Sequence, residues 1–220
     1  MIGIFGGTFD PIHYGHLRPA REVMNALGLS EVRFIPAANP PHRRAPQAAA
    51  EDRLAMVRLA VADQPGFVVD DRELRRGGPS YTVLTLEELR AELGPDVPLC
   101  LLIGADAFAE FETWHQWQRI PQLTHLAVVH RPGSVVTGDS RTWPAWARGR
   151  ACRDPNELAA TSAGRIAFVA VTPQDISATR LRERIARGES PEDSLPPAVW
   201  RYIAARRLYS QSQSLERHHP

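Results

Sequence analysis

The sequence predicts a doubly wound α/β fold with a mostly parallel sheet, on two observations. Short apolar runs alternate with segments of helical period, and two of the runs, residues 99–103 and 126–129, are apolar throughout. A strand covered by helices on both faces has no polar side to show, so its sequence loses the in-out alternation of a half-exposed strand.

The elements follow in chain order. Residues 2–5 read as a strand, 17–27 as a helix, 32–36 as a strand, 53–62 as a helix and 67–70 as a strand. Residues 82–93 are helical, with Val83, Leu86, Leu89 and Leu93 on one face. The apolar runs 99–103 and 126–129 add two strands and residues 166–171 another, before helices near 179–187 and 198–205 form a small C-terminal helical part. Residues 133–164 carry Trp143, Trp146, arginines and prolines without a period. Because a strand resumes after them, they are an excursion from one domain rather than a linker between two. Residues 1–209 are therefore expected to form a single domain, with the polar, patternless residues 210–220 as a disordered tail.

The 220 residues carry a formal net charge of +1, which argues against a broad polyanion-binding surface and so against nucleic acid as partner. All 26 basic residues counted as Lys or Arg are arginine, so phosphate would be gripped by a planar fork or by histidine. Two isolated cysteines, Cys100 and Cys152, make neither a disulfide framework nor a zinc site and suggest a reducing cytoplasm. No window approaches 18 apolar residues, so no membrane span is expected.

The turn after the first strand reads GGTFDPIHYGH, residues 6–16. In an open α/β sheet, ligands bind beyond the carboxyl ends of strands, where loops meet helix N-termini. Gly6 and Gly7 let the backbone turn sharply and let a ligand approach its N–H groups, which favour an anion at the positive end of a helix. His13 and His16, three apart in a first helical turn, face one side, and Gly15 keeps that side uncrowded. A metal-binding reading lacks a third ligand. A dinucleotide-binding dehydrogenase would need G-x-G-x-x-G and an acidic end to the second strand, but the glycines fall at 3, 6, 7 and 15 and the strand ends in Pro36-Ala37-Ala38-Asn39.

His13-Tyr14-Gly15-His16 after Gly6-Gly7-Thr8-Phe9-Asp10-Pro11 resembles the H-x-G-H motif of the nucleotidyltransferase superfamily. Ile176-Ser177-Ala178-Thr179-Arg180-Leu181-Arg182 resembles its second motif, I-S-S-T-x-x-R, with Ala178 in place of the middle serine. Further stretches, Asn39-Pro40-Pro41-His42-Arg43, Pro79-Ser80-Tyr81-Thr82, Ile103-Gly104-Ala105-Asp106, Thr113-Trp114 and His130-Arg131-Pro132-Gly133, extend the resemblance to the bacterial nicotinate-mononucleotide adenylyltransferases. Phosphopantetheine adenylyltransferases, the nearest alternative, lack the P-S-Y-T and T-W stretches, and a catalytically silent nucleotide sensor would be expected to lose a histidine or Arg182.

The resemblance implies a Rossmann-like sheet and transfer of AMP from ATP to nicotinate mononucleotide, with Mg²⁺ bound mainly through the ATP phosphates. It implies that His13, His16 and Arg182 are catalytic. Gly6, Gly7, Thr8, Phe9, Gly104, Asp106, Ile176, Ser177 and Thr179 would join them in binding ATP. Asn39, His42, Arg43, Tyr81, Thr82, Trp114 and Arg131 would bind the mononucleotide, Trp114 as a platform for the cationic pyridinium. Trp117, three residues on and expected on a similar helical face, is the rival platform. The competing role for Asp106 is an ordinary helix N-cap.

Overall fold

The computed structural model describes residues 1–41, 45–130, 139, 141, 143–152, 154 and 156–210. Six strands form one parallel sheet: β1 (Ile2–Gly7), β2 (Glu31–Pro36), β3 (Phe67–Val69), β4 (Leu99–Gly104), β5 (His125–His130) and β6 (Ile166–Ala170). Their order across the sheet is β3-β2-β1-β4-β5-β6. The order reverses between β1 and β4, and the crevice beyond their carboxyl ends is where such a sheet takes its ligand.

The two all-apolar runs behave as their composition demands. Along β4, Leu99, Leu101 and Ile103 enter the core on one face of the sheet, and Cys100 and Leu102 enter the core on the other. Leu126 and Val128 of β5 point to the first of these faces and Ala127 to the second. Residues of α1 (Tyr14–Ala26), α2 (Ala50–Val61), α9 (Ala178–Ala186) and α10 (Pro197–Ala205) fill one core; those of α4 (Thr82–Leu93), α5 (Ala105–Ala109) and α6 (Ile120–Leu123) fill the other. In α4 the predicted stripe is buried at Val83, Leu86 and Leu89, with Leu93 at its margin.

Several short helices carry no readable period. These are α3 (Arg72–Arg76), α5, α6, and, within the excursion, α7 (Ala145–Arg148) and α8 (Asn156–Ala159), each of five residues or fewer. The excursion nevertheless belongs to the core: the Trp143 ring, almost fully buried, stacks on Phe168 of β6 with centroids 4.5 Å apart, and Ala147 and Leu158 are fully buried. The segment expected to be one helix around Trp114 and Trp117 is instead two 3-10 turns, Phe111–Thr113 and Trp117–Arg119. They are separated by extended backbone at Trp114 and by Gln116 at φ 49°, so the chain breaks direction between the two indoles.

Candidate active site

The carboxyl end of β1 leads into α1 through the glycine-rich turn, and the turn's composition follows from what its rings occupy. A Cβ on Gly7 would lie 2.8 Å from the Phe9 ring, and one on Gly15 would lie 2.8 Å from Nδ1 and 2.9 Å from Cε1 of His13. Both glycines are therefore required by neighbouring side chains. Gly6 and Gly104 are different: a Cβ at either would meet nothing within 4 Å, so no neighbouring protein atom requires glycine there.

His13 and His16 stack with centroids 3.8 Å apart. The His13 backbone N–H donates to Nδ1 of His16 at 3.3 Å, which places the His16 proton on Nε2 and makes that nitrogen a donor. Phe9 meets the His16 ring edge-on at 5.2 Å and holds its orientation. His13 is 5 % exposed, and burial pushes its pKa down to about 4, so its imidazole is neutral near pH 7. Its Nδ1 is buried without a hydrogen-bond partner. Farther along α1, Pro19 lacks the N–H that would close on the Gly15 carbonyl.

The second motif arrives beside the first. Ile176 packs over Gly15, with its Cβ 3.4 Å from where a Gly15 Cβ would stand, and Ser177 is the residue that opens α9. From the second turn of α9, Arg182 donates through Nη1 to the Asp10 carbonyl at 2.7 Å and through Nη2 to Thr179 Oγ1 at 3.3 Å. Two motifs more than 160 residues apart thus share one helix-terminal corner. Ala178 is the first residue of α9, and nothing around it explains the absent hydroxyl.

Two cavities open at this corner, on either side of Asp106. One, of ≈ 280 Å³, is lined by Gly15, Pro19, Ile103, Gly104, Asp106, Val129, Thr172 and Gln174 among others. The other, of ≈ 370 Å³, is lined by Gly7, Thr8, Pro40, Pro41, Ser80, Tyr81, Thr82, Asp106, Trp114 and His115 among others. Asp106 is exposed in the first turn of α5, whose N-cap is Gly104, so it is not the N-cap residue. Thr8 falls in the second cavity and not the first.

The structure separates the two indoles: Trp114 lines the second cavity, whereas Trp117 packs against Trp146 at 5.4 Å and Phe111 at 6.4 Å. Thr82 opens α4 at the cavity, while the Tyr81 N–H donates to the Pro79 carbonyl at 3.0 Å and its ring stacks on His115 at 4.2 Å. Asn39 does not line either cavity; its backbone exchanges hydrogen bonds with Ser80, and the following Pro40 and Pro41 supply the wall. His42, Arg43 and Arg131 lie outside the described residues.

Sequence reasoning missed three residues beneath the turn. Asp10, 6 % exposed, accepts from the N–H groups of Gln47 at 2.8 Å and Ala48 at 3.1 Å and from the Tyr209 hydroxyl at 2.7 Å. Burial and the neighbouring carboxylate raise the Tyr209 pKa, which keeps that hydroxyl a donor. Arg53, fully buried, donates to three backbone carbonyls. No local pattern marks them: apart from the Ala48 carbonyl, five residues before Arg53, their partners lie 15 to 199 residues away.

The chain's similarities agree with this corner. The cytidylyltransferase-like family model matches residues 4–184. The chain is 50 % identical over 212 residues to a probable nicotinate-nucleotide adenylyltransferase of Halorhodospira halophila, covering 96 % of each protein. It is 49 % identical over 208 residues to one of Aeromonas hydrophila, covering 94 % of this chain and 96 % of that one. Among solved structures, the nicotinic acid mononucleotide adenylyltransferase of Plasmodium falciparum complexed with APC superposes with a TM-score of 0.68 at 15 % identity, over 94 % of this chain and 96 % of that one, which shows a common fold. With a matched family model spanning both motifs and relatives of half-identical sequence over nearly their whole length, the chain belongs to the cytidylyltransferase-like family and, within it, to the nicotinate-nucleotide adenylyltransferases.

Proposed function

We propose that the protein transfers the AMP moiety of ATP to nicotinate mononucleotide, giving nicotinate adenine dinucleotide and pyrophosphate as a step of NAD biosynthesis. The observation that carries this reading is the pair of cavities meeting at Asp106, at the sheet's switch point, with the stacked histidines and Arg182 at the same corner. Two nucleotides in line need such a double site.

The mononucleotide phosphate is ionised at neutral pH, so one of its oxygens attacks the α-phosphorus of ATP without a general base. The bond from that phosphorus to the bridging oxygen breaks, and pyrophosphate leaves with the electron pair. Catalysis then consists of alignment and of donors aimed at the α-phosphate. In this scheme His16 donates through Nε2, His13 acts as a neutral imidazole, and the N–H groups near Gly7 and Thr8, in the wall of the second cavity, assist beside them. Ser177, Thr179 and Arg182 at the start of α9 take the β- and γ-phosphates. The adenosine occupies the cavity of Gly104 and Asp106, whose carboxylate accepts from a ribose hydroxyl.

Mg²⁺ fits this site as a passenger of ATP. Beside the imidazoles, hydroxyls and guanidinium of the two motifs, the cavities carry the carboxylates of Asp106 and Glu110, and among the described residues no cluster of three or more His, Cys, Asp or Glu is placed to cage a metal. The ion would offset charge on the departing pyrophosphate. On the other side, Trp114 stacks on the pyridinium and the N-terminus of α4 at Thr82 receives the ring carboxylate. No helix among the described residues is long and apolar enough to cross a membrane. ATP as substrate and two free cysteines suit the cytoplasm.

The test is incubation of the purified protein with Mg²⁺, nicotinate mononucleotide and ATP labelled at the α-phosphate. Label should appear in the dinucleotide with one pyrophosphate released per transfer. Label remaining in ATP would contradict the assignment.

A further inference from the structure

The wall of the mononucleotide cavity is held from below by a charged group that belongs to neither motif. Arg53 is 1 % exposed, and each of its three nitrogens donates to a backbone carbonyl: Nε to Ala48 at 3.3 Å, Nη1 to Thr8 at 2.7 Å and Nη2 to Ala38 at 3.2 Å. Among the described residues no carboxylate forms a direct ion pair with it, and the charges of Asp10 and Glu51 reach it only at longer range. Burying a guanidinium without such a partner is costly, so a fold that keeps one there obtains something specific from its geometry.

What it obtains is the spacing between two loops. Thr8 lies in the turn after β1, and Ala38 lies in the turn after β2 between Ala37 and Pro40. Thr8, Ala37 and Pro40 line the Trp114 cavity, and none of them lines the cavity of Gly104. The planar fork is the one basic side chain that can hold two carbonyls at a set distance.

The fork is itself braced. Ala48, whose carbonyl accepts from Arg53, gives its N–H to the Asp10 carboxylate, and the same carboxylate oxygen takes the Tyr209 hydroxyl from 199 residues away. A continuous set of hydrogen bonds therefore runs from the last described turn of the chain to the cavity wall.

We infer that Arg53 is a positioning residue for the mononucleotide, acting through Thr8 and Ala38 and braced by Asp10 and Tyr209. The inference rests on the adenylyl-transfer reading. Its test is steady-state kinetics of wild type, Arg53→Lys and Tyr209→Phe, with melting temperatures measured alongside. Lysine keeps the charge but cannot span two carbonyls, so KM for nicotinate mononucleotide should rise by about tenfold or more while KM for ATP stays within about threefold. Tyr209→Phe keeps the buried ring and removes one hydroxyl; it should move the mononucleotide KM in the same direction by about two- to fivefold, and it carries the test if Arg53→Lys does not fold. Lower melting temperatures with both KM values unchanged, or an equal rise in KM for ATP, would overturn the inference while wild-type turnover leaves the activity standing. A wild type that turns over neither substrate would overturn both.

Discussion

Gly15→Ala separates placement of a catalytic ring from stability of the fold. Its φ is not in the left-handed region, so alanine is conformationally allowed, and a Gly-to-Ala change early in α1 gains at most about 1 kcal/mol of helix propensity. The new methyl would, however, stand 2.8 Å from Nδ1 and 2.9 Å from Cε1 of His13, where ordinary contacts begin near 3.5 Å. The His13 ring must retreat by roughly 0.6 Å or more. It is buried and backed by His16 at 3.8 Å, so the displacement passes into the pair proposed to face the phosphates. A misplacement approaching 1 Å costs about a hundredfold in rate, so kcat should fall by about ten- to a hundredfold. Local strain of about 1–2 kcal/mol is partly offset by propensity, so the melting temperature should change by only a few degrees. The assay is pyrophosphate release at saturating substrates, with thermal unfolding on the same preparation. Wild-type turnover in Gly15→Ala would refute the claim that His13's position sets the rate. Gly104→Ala is the counterpart: its methyl meets no protein atom, so folding should be unaffected and the loss should appear in KM for ATP.

Other consequences follow from the same geometry. If Trp114 stacks on the pyridinium as proposed, a contact worth roughly 1–2 kcal/mol, Trp114→Ala should raise KM for nicotinate mononucleotide by about five- to thirtyfold without moving KM for ATP; Trp117→Ala should lower the melting temperature instead. Nicotinate mononucleotide should exceed nicotinamide mononucleotide in kcat/KM by well over about tenfold, because an amide turns its own N–H toward donors at Thr82; equal values would leave a dual-specificity enzyme. His13 takes up a proton in the unfolded chain near its ordinary 6.5 but in the folded one only near 4. Stability is therefore complete above pH 6.5 and falls by roughly 3 kcal/mol as pH drops through 4, His125 adding in the same direction through its own burial; urea midpoints that stay level across this window would show that His13 is not held neutral.

How much of this was legible depended on whether the determining contacts were local. The sheet was, because Leu99–Gly104 and His125–His130 are buried on both faces and their composition says so directly. The histidine pair was in part: a spacing of three brings His13 near His16, but His13 is not in the first helical turn as expected; it is the extended N-cap of α1, its N–H given to His16 Nδ1. Helices α3 and α5 to α8 were not, since one turn or a little more cannot display a period. The divergence of Trp114 from Trp117 was hidden by a backbone reversal at Gln116, which no apolar pattern encodes. Asp10 stood within the first motif, yet its partners are 37, 38 and 199 residues away, so only the folded chain reveals it as a brace.

The central claim is that adenylyl transfer is driven by donors at the start of α1 and needs no base, and a single-turnover rate tests it most directly. With both substrates saturating, His16→Ala should slow the appearance of dinucleotide by about 10² to 10³, the usual loss for a donor acting in the transition state, while its melting temperature stays near wild type. A folded His16→Ala protein that forms dinucleotide at the wild-type rate would contradict it.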